Sequence, residues 1–329
     1  MSLTDMFIAK AKKDIKKIVY PEGTDERILE AAVKVKSENI AAPVVLGNEE
    51  EINRLAGEKN ITLNDIEIID PAEAAQLKEY ADMYASSRDI KTRVAEKMVK
   101  KRLSFGGMMV KAGAADGMVA GVASATANVI QSAALTIGYQ KGLSTPSSFF
   151  IMVIPDFQGE KDQPLIFADC AVNIQPDARA LAEIAVASGT NAKALLNLDP
   201  RIALLSFSTK GSASHADADK VIEALKLARE LEPEWLIDGE MQGDAALISR
   251  VGRKKAPESK VAGQANVLIF PDLDAGNIAY KLVQYLGHAR ALGPVLQGFA
   301  APVNDMSRGA SVDDLVGVTA ITAVQAQNF

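Results

Sequence analysis

One cysteine, Cys170, and two histidines are all that these 329 residues hold of the side chains that most often ligate transition metals. A lone cysteine closes no disulfide within the chain, and so small a set leaves little from which to build a metal site. No apolar stretch of 18 residues runs free of charge, so no segment reads as a membrane-spanning helix. Positive charge is short as well: 36 Lys and Arg stand against 42 Asp and Glu, a formal net charge of −6. Without a sustained basic stripe to offset that balance, a nucleic-acid binder is disfavoured. The basic stretches Lys10 to Lys17 and Lys97 to Arg102 read as solvated helix faces or local ligand contacts. No Walker pattern closes in Gly-Lys-Ser/Thr, and no Gly-x-Gly-x-x-Gly opens a helix after an early strand, so neither a P-loop hydrolase nor a Rossmann dehydrogenase has its fingerprint. No repeat of fixed period or low-complexity tract stands out. The start, Met1-Ser2-Leu3-Thr4-Asp5, carries acid where a signal peptide carries a basic region. The expectation is a soluble, cytoplasmic, metal-free enzyme.

What is present is apolar bulk, 48% of the residues, in a chain longer than a typical single domain. Short β-branched runs alternate with longer helical stretches. Val44 to Leu46, Ile66 to Ile69, Gly117 to Ala120, Ile202 to Leu205, Trp235 to Ile237 and Val267 to Phe270 are candidate buried strands. Apolar spacing predicts helices over Asp25 to Ser37, Ala72 to Val99, Ala125 to Ile137, Ala178 to Ser188, Ala216 to Glu230 and Ala275 to Leu286. This rhythm predicts an α/β fold of two domains, with a break in the Gly-, Pro- and Ser-rich stretch Tyr139 to Ser148.

In open α/β sheets ligands collect beyond the carboxyl ends of the strands, and several polar turns fall there. After Leu205 comes Ser206-Phe207-Ser208-Thr209-Lys210-Gly211-Ser212, a hydroxyl-rich turn with the look of an anion cradle. After Phe270 comes a turn into a helix that Asp274 could cap, and Asp238 to Asp244 reads as an acidic turn of the same kind. The densest chemistry lies in Pro302 to Leu315. There Ser311 and Asp314 have the spacing of a variant capping box, and Arg308 offers a planar cation beside a helix N-terminus, a combination suited to phosphate. For Asp313 and Asp314 the capping role and a chemical role are both open. His215 reads as a helix-start residue or ligand contact and Cys170 as buried packing.

Val303-Asn304-Asp305-Met306-Ser307-Arg308-Gly309, Leu204 to Ser212, Val267 to Asp272 with Ala275-Gly276-Asn277, and Ala256 to Val261 closely resemble the phosphate acetyltransferase family, in order and over nearly the whole chain from Val19-Tyr20-Pro21-Glu22-Gly23 onward. The resemblance implies reversible acyl transfer between acetyl phosphate and coenzyme A in a ternary complex, with coenzyme A as substrate and no tightly bound cofactor. It implies two α/β/α three-layer domains with a cleft between them, of isocitrate/isopropylmalate-dehydrogenase-like architecture, in a homodimer. The domains would be 1–143 with 299–329, and 144–298. Carried over by position, Ser307 is similar to the family's catalytic serine, Arg308 to its phosphate-binding arginine and Asp314 to its general base. Arg88, Ser124, Thr126, Gln131, Ser208, Thr209, Lys210, Gly211, Ser212, Asn277 and Asn304 would contact substrate.

The chain departs from the family pattern at Gln131, in Ser124 to Ala133, where relatives usually carry an arginine assigned to phosphate binding. Glutamine keeps hydrogen-bond donors and loses the charge, which predicts weaker phosphate or acyl-phosphate binding or a different acyl pair. Ala310 stands where the family commonly has a cysteine. A propanoyl or butyryl transferase of the same mechanism and a non-catalytic acetyl-CoA-sensing module are the alternative readings, with a dehydrogenase on the related architecture a distant third.

Overall fold

The computed structural model describes residues 2–328; Met1 and Phe329, the outer limits of the expected first domain, lie outside them. Its strands are β1 (Lys17–Tyr20), β2 (Ala42–Leu46), β3 (Glu67–Ile69), β4 (Gly117–Ala120), β5 (Ser147–Phe157), β6 (Glu160–Ala168), β7 (Arg201–Leu205), β8 (Leu236–Met241), β9 (Val267–Ile269), β10 (Arg290–Gln297) and β11 (Val303–Asp305). The chain divides into two compact units, one running to Lys141 and resuming at Phe299, the other Gly142–Gly298.

The first unit holds a parallel five-stranded sheet in the order β11-β4-β1-β2-β3. All four residues of β4 are buried, as a strand covered on both faces requires. The helices that cover it fall into two mutually packed sets. Leu3–Ala11, Glu26–Ser37 and Val312–Ala326 form one, and Leu77–Arg88, Thr92–Val99, Arg102–Lys111 and Thr126–Thr136 form the other. The result is a three-layer α/β/α sandwich. Its last strand and last helix come from the end of the chain, and a buried hydrogen bond of 2.7 Å between the Tyr20 and Thr319 hydroxyls ties β1 to that helix.

The second unit holds a six-stranded mixed sheet, β10-β5-β6-β9-β7-β8, antiparallel across its first two pairs and parallel across the rest. Helices Ala178–Leu196 and Ala216–Leu231 pack together on it, as do Gly243–Leu247 and Ser249–Lys255, while Leu273–Leu286 packs on β5, β6 and β10. Cys170 lies in the core of this unit with no exposure, and burial pushes its thiol well above the usual range, as expected of a packing residue.

Several local expectations are corrected. The helix expected over Ala72 to Val99 is broken at Asp89, whose backbone turns left-handed (φ 52°), giving Leu77–Arg88 and Thr92–Val99. Asp272, not Asp274, caps helix Leu273–Leu286 by accepting from the Ala275 N–H at 2.8 Å. The acidic turn expected from Asp238 is β8 as far as Met241, with Asp238 and Glu240 buried. The β5–β6 hairpin was absent from the expected strands; it reverses through Gln158 and Gly159, both at positive φ, the backbone that a two-residue hairpin turn needs.

Candidate active site

Because β1, β4 and β11 are neighbours and parallel, Tyr20, Ala120 and Asp305 end at the same edge of the first sheet, and the segments that follow them gather there. Three backbone N–H groups of the turn after β4 converge on one carboxylate. Glu22 Oε2 accepts from Gly121 (2.8 Å) and Val122 (2.9 Å), and Oε1 accepts from Ala123 (3.1 Å). A second anchor is Arg27. Its guanidinium donates to the carbonyls of Arg308 (2.8 Å), Ala310 (3.0 Å) and Val122 (3.1 Å), and grips Asp25 with Nε at 2.9 Å and Nη2 at 2.8 Å. Burial opposes the charged form of Asp25, yet the hydrogen bonds from Arg27 hold its carboxyl below the ordinary range. The turns that carry Ser124 and Ser307 are thereby tied to one another.

On that clamped loop Ser307, Arg308 and Gly309 are exposed. Ser307 Oγ accepts from the Gly309 N–H at 3.2 Å, which leaves its own proton free to donate. The Arg308 guanidinium donates to no protein group among the described residues; only its carbonyl is engaged, by Arg27. Ser311 caps helix Val312–Ala326, and the capping box with Asp314 is complete. Asp314 Oδ2 accepts from Ser311 N (2.9 Å) and Oγ (2.7 Å), and Ser311 Oγ accepts from Asp314 N (3.2 Å). Asp314 Oδ1 takes no hydrogen bond among the described residues, so the capping role leaves one carboxylate oxygen open. Asp313 pairs with Lys34 at 2.7 Å instead.

Asp305, two residues before Ser307, was given no role from sequence. It is 5% exposed, its Oδ2 accepts from Thr126 Oγ1 at 2.5 Å, and its Oδ1 is buried without a partner. Burial, with Glu22 nearby, pushes its carboxyl up to about 6 from an ordinary 3.8, although the Thr126 hydrogen bond works the other way. A raised folded-state pKa means that the native chain binds the extra proton between those two values, so stability is fullest below the lower one and is lost as pH rises through the upper one. Asp305→Asn keeps an acceptor for Thr126 and removes the buried charge. It is expected to stabilise the protein by about 1–3 kcal/mol at pH 8, with the gain shrinking as pH falls from 6 to 4. Melting curves of the two proteins across that range check this; parallel pH profiles would contradict it.

Other residues expected at substrate hydrogen-bond within the protein. Asn304 has no exposure and donates its amide to Thr322 Oγ1 (2.9 Å) and Gln325 Oε1 (2.8 Å), holding β11 to the last helix. Arg88 donates to the carbonyls of Ala134 (3.0 Å) and Leu135 (2.8 Å), at the C-terminal end of helix Thr126–Thr136. That is about 12 Å along the helix from Thr126. Thr126 and Gln131 are exposed on that helix, and Ser124 is half-buried just before it.

In the second unit, the anion that the Ser208 turn wraps is the protein's own Glu240. Its Oε1 accepts from Ser208 Oγ (2.7 Å) and Gly211 N (2.9 Å). Thr209 is buried with its hydroxyl on Gln242, Ser212 Oγ accepts from Thr209 N (2.9 Å), and Lys210 is bound to Asp238 at 2.6 Å. Asn277 donates to the Cys170 carbonyl at 3.1 Å. His215 caps helix Ala216–Leu231, its Nδ1 accepting from Asp217 N at 3.2 Å, as its reading as a helix-start residue anticipates. The signal that would have found Glu22, Arg27 and Glu240 is absent from any linear motif, since each works on backbone brought near by the sheet.

Comparison with known proteins gives this edge a context. A family model described as phosphate acetyl/butaryl transferase matches residues 2–323. The phosphate acetyltransferase of Thermoanaerobacterium thermosaccharolyticum is 50% identical, over 99% of this chain and 100% of that protein. That of Bacillus subtilis is 45% identical, over 96% of each. Among solved structures, a phosphotransacetylase from Streptococcus pyogenes superposes with a TM-score of 0.93 at 42% identity, over the whole of both chains. A 4-hydroxythreonine-4-phosphate dehydrogenase from Klebsiella pneumoniae, 12% identical with a TM-score of 0.51 over 94% of this chain and 98% of that one, shares the fold alone.

Proposed function

The chain belongs to the phosphate acetyl/butaryl transferase family, and on that premise we propose that it transfers an acetyl group reversibly between acetyl phosphate and coenzyme A, with the edge bearing Ser307, Arg308 and Asp314 as its active site. The observation that carries this reading is the Arg308 guanidinium, unengaged among the described residues, beside a Ser307 hydroxyl whose proton is free to donate, on a loop that Arg27 fixes by two backbone carbonyls. A rigid loop with an unspent cation suits a phosphoryl group, because the guanidinium gives up no internal ion pair to bind it.

Chemistry follows from the three side chains. A coenzyme A thiol, with an ordinary pKa near 8.5, is mostly protonated at neutral pH, and transfer of its proton to Asp314 Oδ1 generates the thiolate. The thiolate forms a bond to the acetyl carbonyl carbon. Ser307 donates to the oxyanion as it develops, the carbon–oxygen bond to phosphate breaks, and Arg308 stabilises the departing phosphate. No acyl-enzyme forms, and the reverse reaction uses the same groups with Asp314 returning the proton. Thr126 and Ser124, at the neighbouring helix start, would complete the phosphate's surroundings. The reading extends to a cytoplasmic homodimer with no tightly bound cofactor.

Arg308→Gln tests it. The variant is expected to raise the KM for phosphate by about tenfold or more, with coenzyme A binding unchanged, because a charge-assisted contact is lost while the loop's backbone anchors remain. Initial rates over a phosphate titration check this, and an unchanged KM would remove Arg308 from the phosphate site.

A further inference from the structure

The charge that Gln131 does not carry is present close by in the first unit. Together with Asn128, Ser132 and Leu135, Gln131 forms one wall of a cavity of about 420 Å³; the residues Lys101 and Arg102 and the apolar Leu103, at the start of helix Arg102–Lys111, form another. That helix begins at the carboxyl edge of the sheet and has no side-chain cap, so its first N–H groups add positive potential to that of the two cations. No carboxylate lines the cavity among the described residues. Arg102 is held by a hydrogen bond of 3.0 Å from its guanidinium to Thr24 Oγ1, next to the Asp25 that Arg27 grips. The Lys101 ammonium has no hydrogen bond or ion pair among the described residues. Ser132 is 8% exposed, and its hydroxyl is buried without a partner. Two cations, an uncapped helix start and an unspent hydroxyl thus converge on a hollow whose remaining lining, Met98, Leu103, Ser104, Asn128, Gln131 and Leu135, is uncharged.

We propose that this cavity is a phosphoryl-binding subsite in which Lys101 and Arg102 supply, from the facing helix, the positive charge that Gln131 does not carry. The proposal rests on the transferase reading. Its occupant is a phosphoryl group attached to a short aliphatic body, which Leu103 and Leu135 contact. An acyl phosphate and the phosphorylated arm of coenzyme A both have that chemistry, and the experiment separates them.

Calorimetric titration of the full chain with inorganic phosphate, acetyl phosphate, coenzyme A and phosphate-free pantetheine reads binding without turnover. Lys101→Gln and Arg102→Gln are each expected to weaken the occupant by about tenfold, the loss of one charge-assisted contact. Lys100→Gln, exposed but outside the cavity, should bind as wild type does. Gln131→Arg added to Lys101→Gln should restore most of the affinity, since the charge returns to the same hollow. Weakening of phosphate and acetyl phosphate identifies the acyl phosphate as occupant. Weakening of coenzyme A alone, with pantetheine unchanged, identifies the coenzyme. Both outcomes support the subsite. Unchanged affinities in both lysine and arginine variants, or a wild type that binds none of the phosphorylated ligands, overturn it. A Lys101-dependent phosphate affinity in a protein that never consumes acetyl-CoA would sink the transferase reading and leave the subsite standing.

Discussion

Asp314→Asn is expected to lower phosphate-dependent turnover by about 100-fold or more, the range for loss of a general base, the role proposed for Asp314, while the melting temperature should move little. The two effects should separate because the observed capping role and the proposed proton transfer fall on different oxygens. Oδ2 accepts from Ser311 N and Oγ in the capping box, and Oδ1 is open. Asparagine retains an acceptor oxygen for the cap, so helix Val312–Ala326 keeps its start, but it has no basic oxygen to take a thiol proton. Asp314→Ala removes both roles and should add a stability loss of about 1 kcal/mol to the same loss of rate. Equal rates for wild type and the asparagine variant would make Asp314 a capping residue only.

Gly121→Ala is expected to destabilise the first unit by roughly 3 kcal/mol or more, the sum of a disfavoured backbone and a forced clash. Gly121 has φ +108°, and a β-carbon placed there would lie 2.2 Å from Asp305 Oδ1 and 2.6 Å from both the N and O atoms of Met306. Two of those three neighbours are backbone, with no freedom to swing away. Met306 directly precedes Ser307, so whatever relaxes the clash also moves the loop that carries Ser307 and Arg308. Urea denaturation should show the lost stability, and the folded remainder should have reduced turnover. A variant with unchanged stability and rate would mean that the turn after β4 is not packed against β11 as described.

The parts of this molecule that were legible in its sequence are those written in local pattern. The strands at Val44, Gly117, Ile202 and Val267 announced themselves as short apolar runs because both faces of a parallel sheet are covered. The capping box at Ser311 was readable because its partners stand three residues apart. The Ser208 turn has the hydroxyl-rich look of an anion cradle in sequence, and the carboxylate it wraps in the fold is Glu240, 32 positions on; no linear spacing reveals which carboxylate will be buried against it. Asp305 escaped for the same reason. Its unusual environment comes from Gly121 and Thr126, more than 170 positions earlier, and exists only once β11 pairs with β4. Asn304, its neighbour on the strand, points to the last helix, as alternation along a strand dictates when Asp305 faces the other way.

The most direct test of the central claim is the release of free thiol from acetyl-CoA on addition of phosphate, followed for the wild-type chain beside Asp314→Asn. The account predicts sustained turnover that requires phosphate in the wild type and its near-complete loss in a variant that remains folded. A folded wild type that binds coenzyme A yet releases no thiol with phosphate would contradict it.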